Sequence, residues 1–243
     1  MKSYRKLLLL FILAVILFLF IYIYRSYYLR ENFEHEKQNI IGYIHVCQKK
    51  NWQRSFDLLM NDIKSYGLYE NTTEIRVGVV NDEGILIEDD RLKDPKIKIV
   101  YVGKSEQYER PTLLHMKESC TKDPDNTLYY YLHTKGISHF DTEFEKVVVD
   151  WIRSMLYYNI QLWEDAASQL RVSETYGCHH NINHYSGNFW WSTANHIKKL
   201  PDIIPHYYTA PEDWVLYNSD NMFCAYNCGK DFKNPYPDKL YKK

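Results

Sequence analysis

Hydrophobic positions change their period along the chain. From Leu7 to Tyr24 they are unbroken, 18 residues without a charge, which as a helix span roughly 27 Å, close to a bilayer core. The run is apolar all round, unlike a core helix with its polar face, and it ends in Ile21-Tyr22-Ile23-Tyr24-Arg25, which offers no small-residue cleavage site. The pattern predicts a transmembrane signal-anchor over 7–24, between a cytosolic tail, 1–6, and a short polar stem, 25–38. Residues 39–243 remain as one domain.

Within that domain short β-prone runs alternate with stretches of helical spacing. Ile40 to Val46 reads as a strand, and Trp52, Phe56, Leu59 and Ile63 share one helical face. Glu74 to Val80 and Lys96 to Val102 are strands rich in Val and Ile, set apart by Asn81-Asp82-Glu83-Gly84 and Asp94-Pro95. A short helix opens near Glu109 with Pro111 in its first turn. Thr127 to Leu132 is a Tyr-rich buried strand that stops in the turn His133-Thr134-Lys135-Gly136. Phe144, Val148, Ile152, Met155, Trp163, Ala166 and Leu170 hold one face from Glu143 to Leu170, the longest helix expected, at roughly 42 Å. A strand at Glu174 to Cys178 and a helix near Ala194 to Leu200 complete the map. Alternating strands and helices argue for an α/β fold, a mainly parallel sheet covered on both faces, with ligands beyond the strands' carboxyl ends.

Charge refines the picture. Lys2, Arg5 and Lys6 precede the apolar run, whereas Arg25 and Arg30 follow it beside Glu31, Glu34 and Glu36. The bias keeps the N-terminus cytosolic and makes this a type II membrane protein whose domain is lumenal or extracytoplasmic, in a Golgi-like or ER-like compartment if the host is eukaryotic. Asn71-Thr72-Thr73 is then an available glycosylation acceptor. With 30 basic and 31 acidic residues interspersed, the chain has no basic stripe, and nucleic acid is not an expected partner. Five cysteines, with Cys224 and Cys228 the nearest pair, are too few for a disulfide scaffold.

Three clusters carry candidate chemistry. His133-Thr134-Lys135 brings an imidazole, a hydroxyl and an ammonium to the turn where a phosphate-bearing ligand would lie, although such a turn also uses these groups on its own backbone. His184-Tyr185-Ser186-Gly187-Asn188-Phe189-Trp190-Trp191 mixes aromatic faces with hydrogen-bonding groups suited to a sugar, or else supplies core aromatics on a short strand. Glu212-Asp213-Trp214 follows Pro211; either acid suits a general base or simply the first turn of a helix. Cys178-His179-His180, His184 and the Cys224/Cys228 pair are zinc-type ligands, but their spacing fits no standard metal motif.

At Tyr131-Leu132-His133-Thr134-Lys135-Gly136 and His184-Tyr185-Ser186-Gly187-Asn188-Phe189-Trp190-Trp191 the chain resembles a family of glycosyltransferase-like proteins of large DNA viruses, protists and bacteria. The likeness begins near Tyr43-Ile44-His45-Val46, passes through Tyr108-Glu109-Arg110-Pro111-Thr112-Leu113 and ends near Glu212-Asp213-Trp214, so it covers nearly the whole domain. The His-Thr-Lys turn also looks, over a shorter stretch, like that of rhamnan-synthesis F-type proteins. The resemblance implies a GT-A-like fold and a sugar passed from a nucleotide-sugar donor to a hydroxyl of a glycan or glycoconjugate acceptor.

On that resemblance Glu212 or Asp213 is the base, and His133, Thr134 and Lys135 hold the donor diphosphate. His45, with Cys47 beside it, and Asp82 approach the nucleotide, and Ser186, Gly187, Asn188, Trp190 and Trp191 position the sugars. The family's Asp-x-Asp is replaced by His133-Thr134-Lys135, which leaves a need for a divalent cation (Mn or Mg) open and assigns no residue as a metal ligand. Two other classes fit the residues: a catalytically silent, membrane-tethered carbohydrate-binding protein built on the aromatic loop, and a metal-dependent hydrolase built on the His and Cys cluster.

Overall fold

In this computed structural model the described residues are Val15, Leu19, Phe20 and 38–227. Contacts divide the chain into a unit of residues 1–38 and a unit of 39–243. Apart from Val15, Leu19 and Phe20, the predicted span 7–24 lies outside the described residues, as do the tail 1–6, nearly all of the stem and Cys228. Among the described residues no helix is long and apolar enough to cross a membrane.

The second unit is a mixed α/β structure around a seven-stranded, mostly parallel sheet. Its strands are β1 (Ile40–Cys47), β2 (Thr72–Asn81), β3 (Ile97–Lys104), β4 (Leu128–His133), β5 (Thr175–Gly177), β8 (Trp190–Thr193) and β9 (Met222–Cys224), in spatial order β3-β2-β1-β4-β8-β5-β9. Only β8 runs against its neighbours β4 and β5. A two-stranded hairpin, β6 (His180–Asn181) with β7 (His184–Tyr185), stands apart. The chain adds β2 and β3 on one side of β1 and then returns to place β4 on the other. The strand order therefore reverses between β1 and β4, where open α/β sheets bind ligands beyond the carboxyl ends.

The alternation of side chains along β1 and β4 makes two cores. Ile40, Ile44, Val46, Tyr130 and Leu132 face one way, against helix α1 (Trp52–Ser65), which buries Trp52, Phe56, Leu59 and Ile63. Ile41, Tyr43, Tyr129 and Tyr131 face the other, against α3 (Arg110–Ser119), which follows the single-turn α2 (Leu68–Asn71) and β3. The three consecutive tyrosines of β4 are fully buried. Burial is tolerable because their hydroxyls find partners: Tyr129 donates to Asp123 at 2.7 Å, Tyr131 to Glu109 at 2.6 Å, and Tyr130 lies 3.4 Å from Thr72 Oγ1. Gly42 of β1 is required by the second of these rings, since a Cβ there would sit 2.3 Å from the Tyr130 ring.

The long helix expected over Glu143 to Leu170 is interrupted. It forms α4 (Glu145–Leu156), a π-helical turn at Tyr157–Gln161, and α5 (Trp163–Gln169). The Trp191 indole N–H takes the Asn159 carbonyl at 2.7 Å, and Leu162 N–H reaches back to the Tyr157 carbonyl, five residues away, at 3.0 Å. An inserted side chain that competes for a helical carbonyl is a recognised cause of such a break. Two short helices, α6 (Ala194–Ile197) and α7 (Ala210–Trp214), cover the Tyr129/Tyr131 face.

Candidate functional site

A cavity of about 270 Å³ opens at the carboxyl ends of β1 and β4, near the lower end of the roughly 300–1,000 Å³ usual for small-molecule sites. His45 and Cys47 from β1 and the His133-Thr134-Lys135 turn after β4 form its floor, with Trp151 of α4 on one side. Tyr108, Glu109, Tyr208 and Glu212 line it as well.

Two of these groups tie the strand ends together. Thr134 N–H donates to the His45 carbonyl, and Cys47 N–H donates to Thr134 Oγ1, each at 2.9 Å. The Thr134 hydroxyl therefore works on the backbone even though it borders the cavity. His45 Nδ1 lies 2.9 Å from Thr112 Oγ1, and burial pushes its imidazole down to about 4, so it is neutral. Burial also raises the Cys47 thiol, which keeps it protonated.

Lys135 is the cation of the site. Its ammonium sits 4.4 Å from the centre of the Trp151 ring. Burial lowers its pKa, while the carboxylates of Glu212 and Glu109 act in the other direction. His133 is not arranged as an obvious partner for diphosphate charge in this structure. Its Nε2–H is given to the Gly187 carbonyl at 2.9 Å, and burial together with Lys135 pushes it down to about 3. A neutral imidazole with its only proton on a backbone carbonyl can accept a hydrogen bond through Nδ1 but donates nothing to a phosphate.

The two acids separate by position. Glu212 borders the cavity. Asp213 is absent from that lining; its carboxylate lies 3.4 Å from His184 Nδ1 and takes the Tyr207 hydroxyl at 3.4 Å. His184 also approaches Glu212 Oε2 at 3.9 Å. Of the two acids expected as candidates for a base, Glu212 or Asp213, Glu212 alone borders the cavity.

The aromatic loop is corrected more strongly. Trp190 and Trp191 are both 0 % exposed, so their faces are closed to a sugar. Trp190 stacks on Tyr131 with ring centres 5.0 Å apart and donates to Asn188 Oδ1 at 2.7 Å, while Trp191 caps the broken helix. Ser186, Gly187 and Asn188 do not border the cavity either; they form the layer behind it. A Cβ on Gly187, at φ 92°, would lie 2.4 Å from Met155 Sδ and 3.3 Å from Lys135 Cε. Asp82 is exposed outside the cavity, paired with Lys49 and accepting from the Ser105 hydroxyl at 2.9 Å. The zinc-type residues do not converge: among the described residues no three His, Cys, Asp or Glu side chains could hold one ion.

Glu109 was quoted in the sequence only as part of a motif, yet it is the hub of the site. Oε2 accepts from Tyr131 and from Asn188, both at 2.6 Å, and Oε1 lies 3.9 Å from His133 Nδ1. Asn188 is 79 positions away in sequence, so no local pattern could announce the pairing. The only hint was an acid immediately before a helix that begins Arg110-Pro111. No family model matches the chain, and no curated protein matches it.

Proposed function

We propose that the chain is a membrane-anchored glycosyltransferase of GT-A-like fold, held by residues 7–24, that moves a sugar from a nucleotide-sugar to a hydroxyl of a glycan or glycoconjugate. The observation that carries the reading is a partly buried ammonium, Lys135, and a carboxylate, Glu212, lining one cavity at the point where the strand order reverses. An ammonium in a dry site stabilises charge that builds on a leaving diphosphate. The carboxylate supplies the base. In the reaction the acceptor oxygen bonds to the anomeric carbon as the bond from that carbon to the diphosphate oxygen breaks. The electron pair leaves with the diphosphate, the hydroxyl proton passes to Glu212, and the configuration inverts.

No residue is assigned to a divalent cation. On this reading Lys135 meets the leaving charge in place of an acidic, metal-holding turn, and turnover is expected to persist without added Mn²⁺ or Mg²⁺. A carbohydrate-binding alternative cannot rest on Trp190 and Trp191, whose faces are buried.

The test is hydrolysis and transfer by the full chain in a non-glycosidic detergent, over a panel of nucleotide-sugars, with manganese or with EDTA. Turnover of one donor that persists in EDTA supports the reading. Turnover that needs manganese would remove Lys135 as the substitute for the metal, and no turnover of any donor would remove the transferase.

A further inference from the structure

The cavity wall carries two aromatic rings that the catalytic reading does not use. Tyr108 and Tyr208 lie with ring centres 5.2 Å apart at 84°, edge to face, and both border the cavity. Tyr208 is 71 % exposed and Tyr108 is 38 % exposed, so each keeps ring surface that faces solvent.

Tyr108 is held there at a cost. Its backbone lies at φ 51°, ψ −141°, near a region that residues other than glycine avoid by about 1–3 kcal/mol. That conformation ends the 3₁₀ turn Ser105–Gln107 and aims the next residue, Glu109, into the cavity. Arg110 steadies the ring from 5.3 Å. Tyr208 comes from the segment just before α7, the helix that presents Glu212, and its phenol is raised by burial and by the Glu212 and Glu109 carboxylates. The rings and the two carboxylates therefore share one end of the cavity.

Two residues with hydrogen-bond acceptors line the same cavity. His133 gives its proton to Gly187, so Nδ1 offers a lone pair, and it faces Glu109 Oε1 across 3.9 Å. Among the described residues no hydrogen bond ends on that oxygen, because Tyr131 and Asn188 both bind Oε2. Two acceptors that face each other without a proton between them call for a ligand rich in donors. Hydroxyl groups on a ring whose C–H face lies on an aromatic supply both features.

We propose that Tyr108 and Tyr208, with Glu109 Oε1 and His133 Nδ1, form a pyranose subsite, and that this subsite takes the acceptor sugar whose hydroxyl is deprotonated by Glu212. The acceptor role rests on the transferase reading; the subsite itself does not. The C–H face of the ring lies on the tyrosines and its hydroxyls donate to the carboxylate and the imidazole.

The experiment is saturation-transfer NMR on the full chain in non-glycosidic detergent, with the methyl glycosides of glucose, galactose, mannose and rhamnose as probes, next to donor hydrolysis on the same sample. At least one glycoside should bind, Y208A should weaken it about two- to tenfold, and Y208W, which keeps an aromatic face, should restore it. Because Tyr208 is largely exposed, Y208A tests the ring without disturbing the core. Where an acceptor is turned over, Y208A should raise its KM more than it lowers kcat. Failure of every glycoside to bind, or equal binding by Y208A, overturns the subsite. Glycoside binding lost in Y208A without any donor hydrolysis keeps the subsite and removes the transferase.

Discussion

Asn188 donates to Glu109 Oε2 at 2.6 Å while its own Oδ1 accepts the Trp190 indole N–H at 2.7 Å. One buried amide, at φ 57°, thus joins the aromatic core to the wall of the cavity. Its removal leaves the buried Trp190 N–H without a partner and takes one of two donors from the Glu109 carboxylate, which keeps the Tyr131 hydroxyl. At about 1–3 kcal/mol for the buried indole N–H left unsatisfied and about 1 kcal/mol for the hydrogen bond lost from the carboxylate, N188A should lower unfolding stability by about 2–4 kcal/mol. N188D should be worse than N188A, because it sets a second carboxylate against Glu109. Urea denaturation of the three proteins decides it, and equal stability of wild type and N188A would show that the amide bridge is not formed.

Lys135→Met separates charge from packing. The methionine keeps an apolar stem beside Trp151 and Gly187 but removes an ammonium that burial already disfavours. Replacement of a buried charge by an apolar side chain of similar volume is often neutral or stabilising. The melting temperature should therefore hold or rise, whereas donor turnover should fall about 10²- to 10³-fold. Turnover within a factor of two of wild type would exclude Lys135 from the chemistry.

Gly187→Ala tests the layer behind the site. The added methyl meets Met155 Sδ at 2.4 Å and would push towards Lys135 Cε, at a φ of 92° that disfavours any side chain. Strain and overpacking each cost about 1–3 kcal/mol. The variant should melt well below wild type and, if folded, turn over donor more slowly because Lys135 is displaced. A variant as stable as wild type would mean that this turn repacks freely.

Much of this was legible in the sequence, and what was not follows a pattern. The strands β1 to β4 and helix α1 were readable because each is a local run of one period, and the HTK turn was readable because a buried strand ended there. The parallel sheet with helices on both faces followed. The interruption of the long helix was not readable, since its cause is Trp191, 32 positions from the carbonyl it takes. The aromatic loop misled for a related reason. Phe189, Trp190 and Trp191 look the same in sequence whether they face a ligand or a core, and only the pairing of β8 with β4 and β5 buries them. Glu109 stayed hidden because its partners Tyr131 and Asn188 meet it only after the sheet has formed.

Acidification should destabilise the fold well before its carboxylates titrate. Burial lowers the imidazoles of His45 and His179 to about 4, and burial with Lys135 lowers that of His133 to about 3. In the unfolded chain the same groups take up protons near 6.5. Their contribution to stability is therefore fully present above pH 6.5 and is lost as the pH falls towards 4 and 3, where the folded state must protonate as well. Asp123 acts lower down: burial opposes its ionisation, but hydrogen bonds from Arg76 and Tyr129 hold it below the ordinary carboxylate value. Asp62, raised by burial, works in the opposite sense. Between pH 6.5 and 5 the histidines dominate, each with a ceiling of about 1.4 kcal/mol per pH unit. Denaturation at pH 7.5 and pH 5 should show a loss of at least about 1 kcal/mol at the lower pH, well inside the ceiling for three groups. His179→Gln, which removes one titrating ring that lies 2.9 Å from Ser154 Oγ, should flatten that slope. Stability that is level or rising between pH 7.5 and 5 would mean that these imidazoles are charged in the folded protein, and Nδ1 of His133 would then no longer be an acceptor.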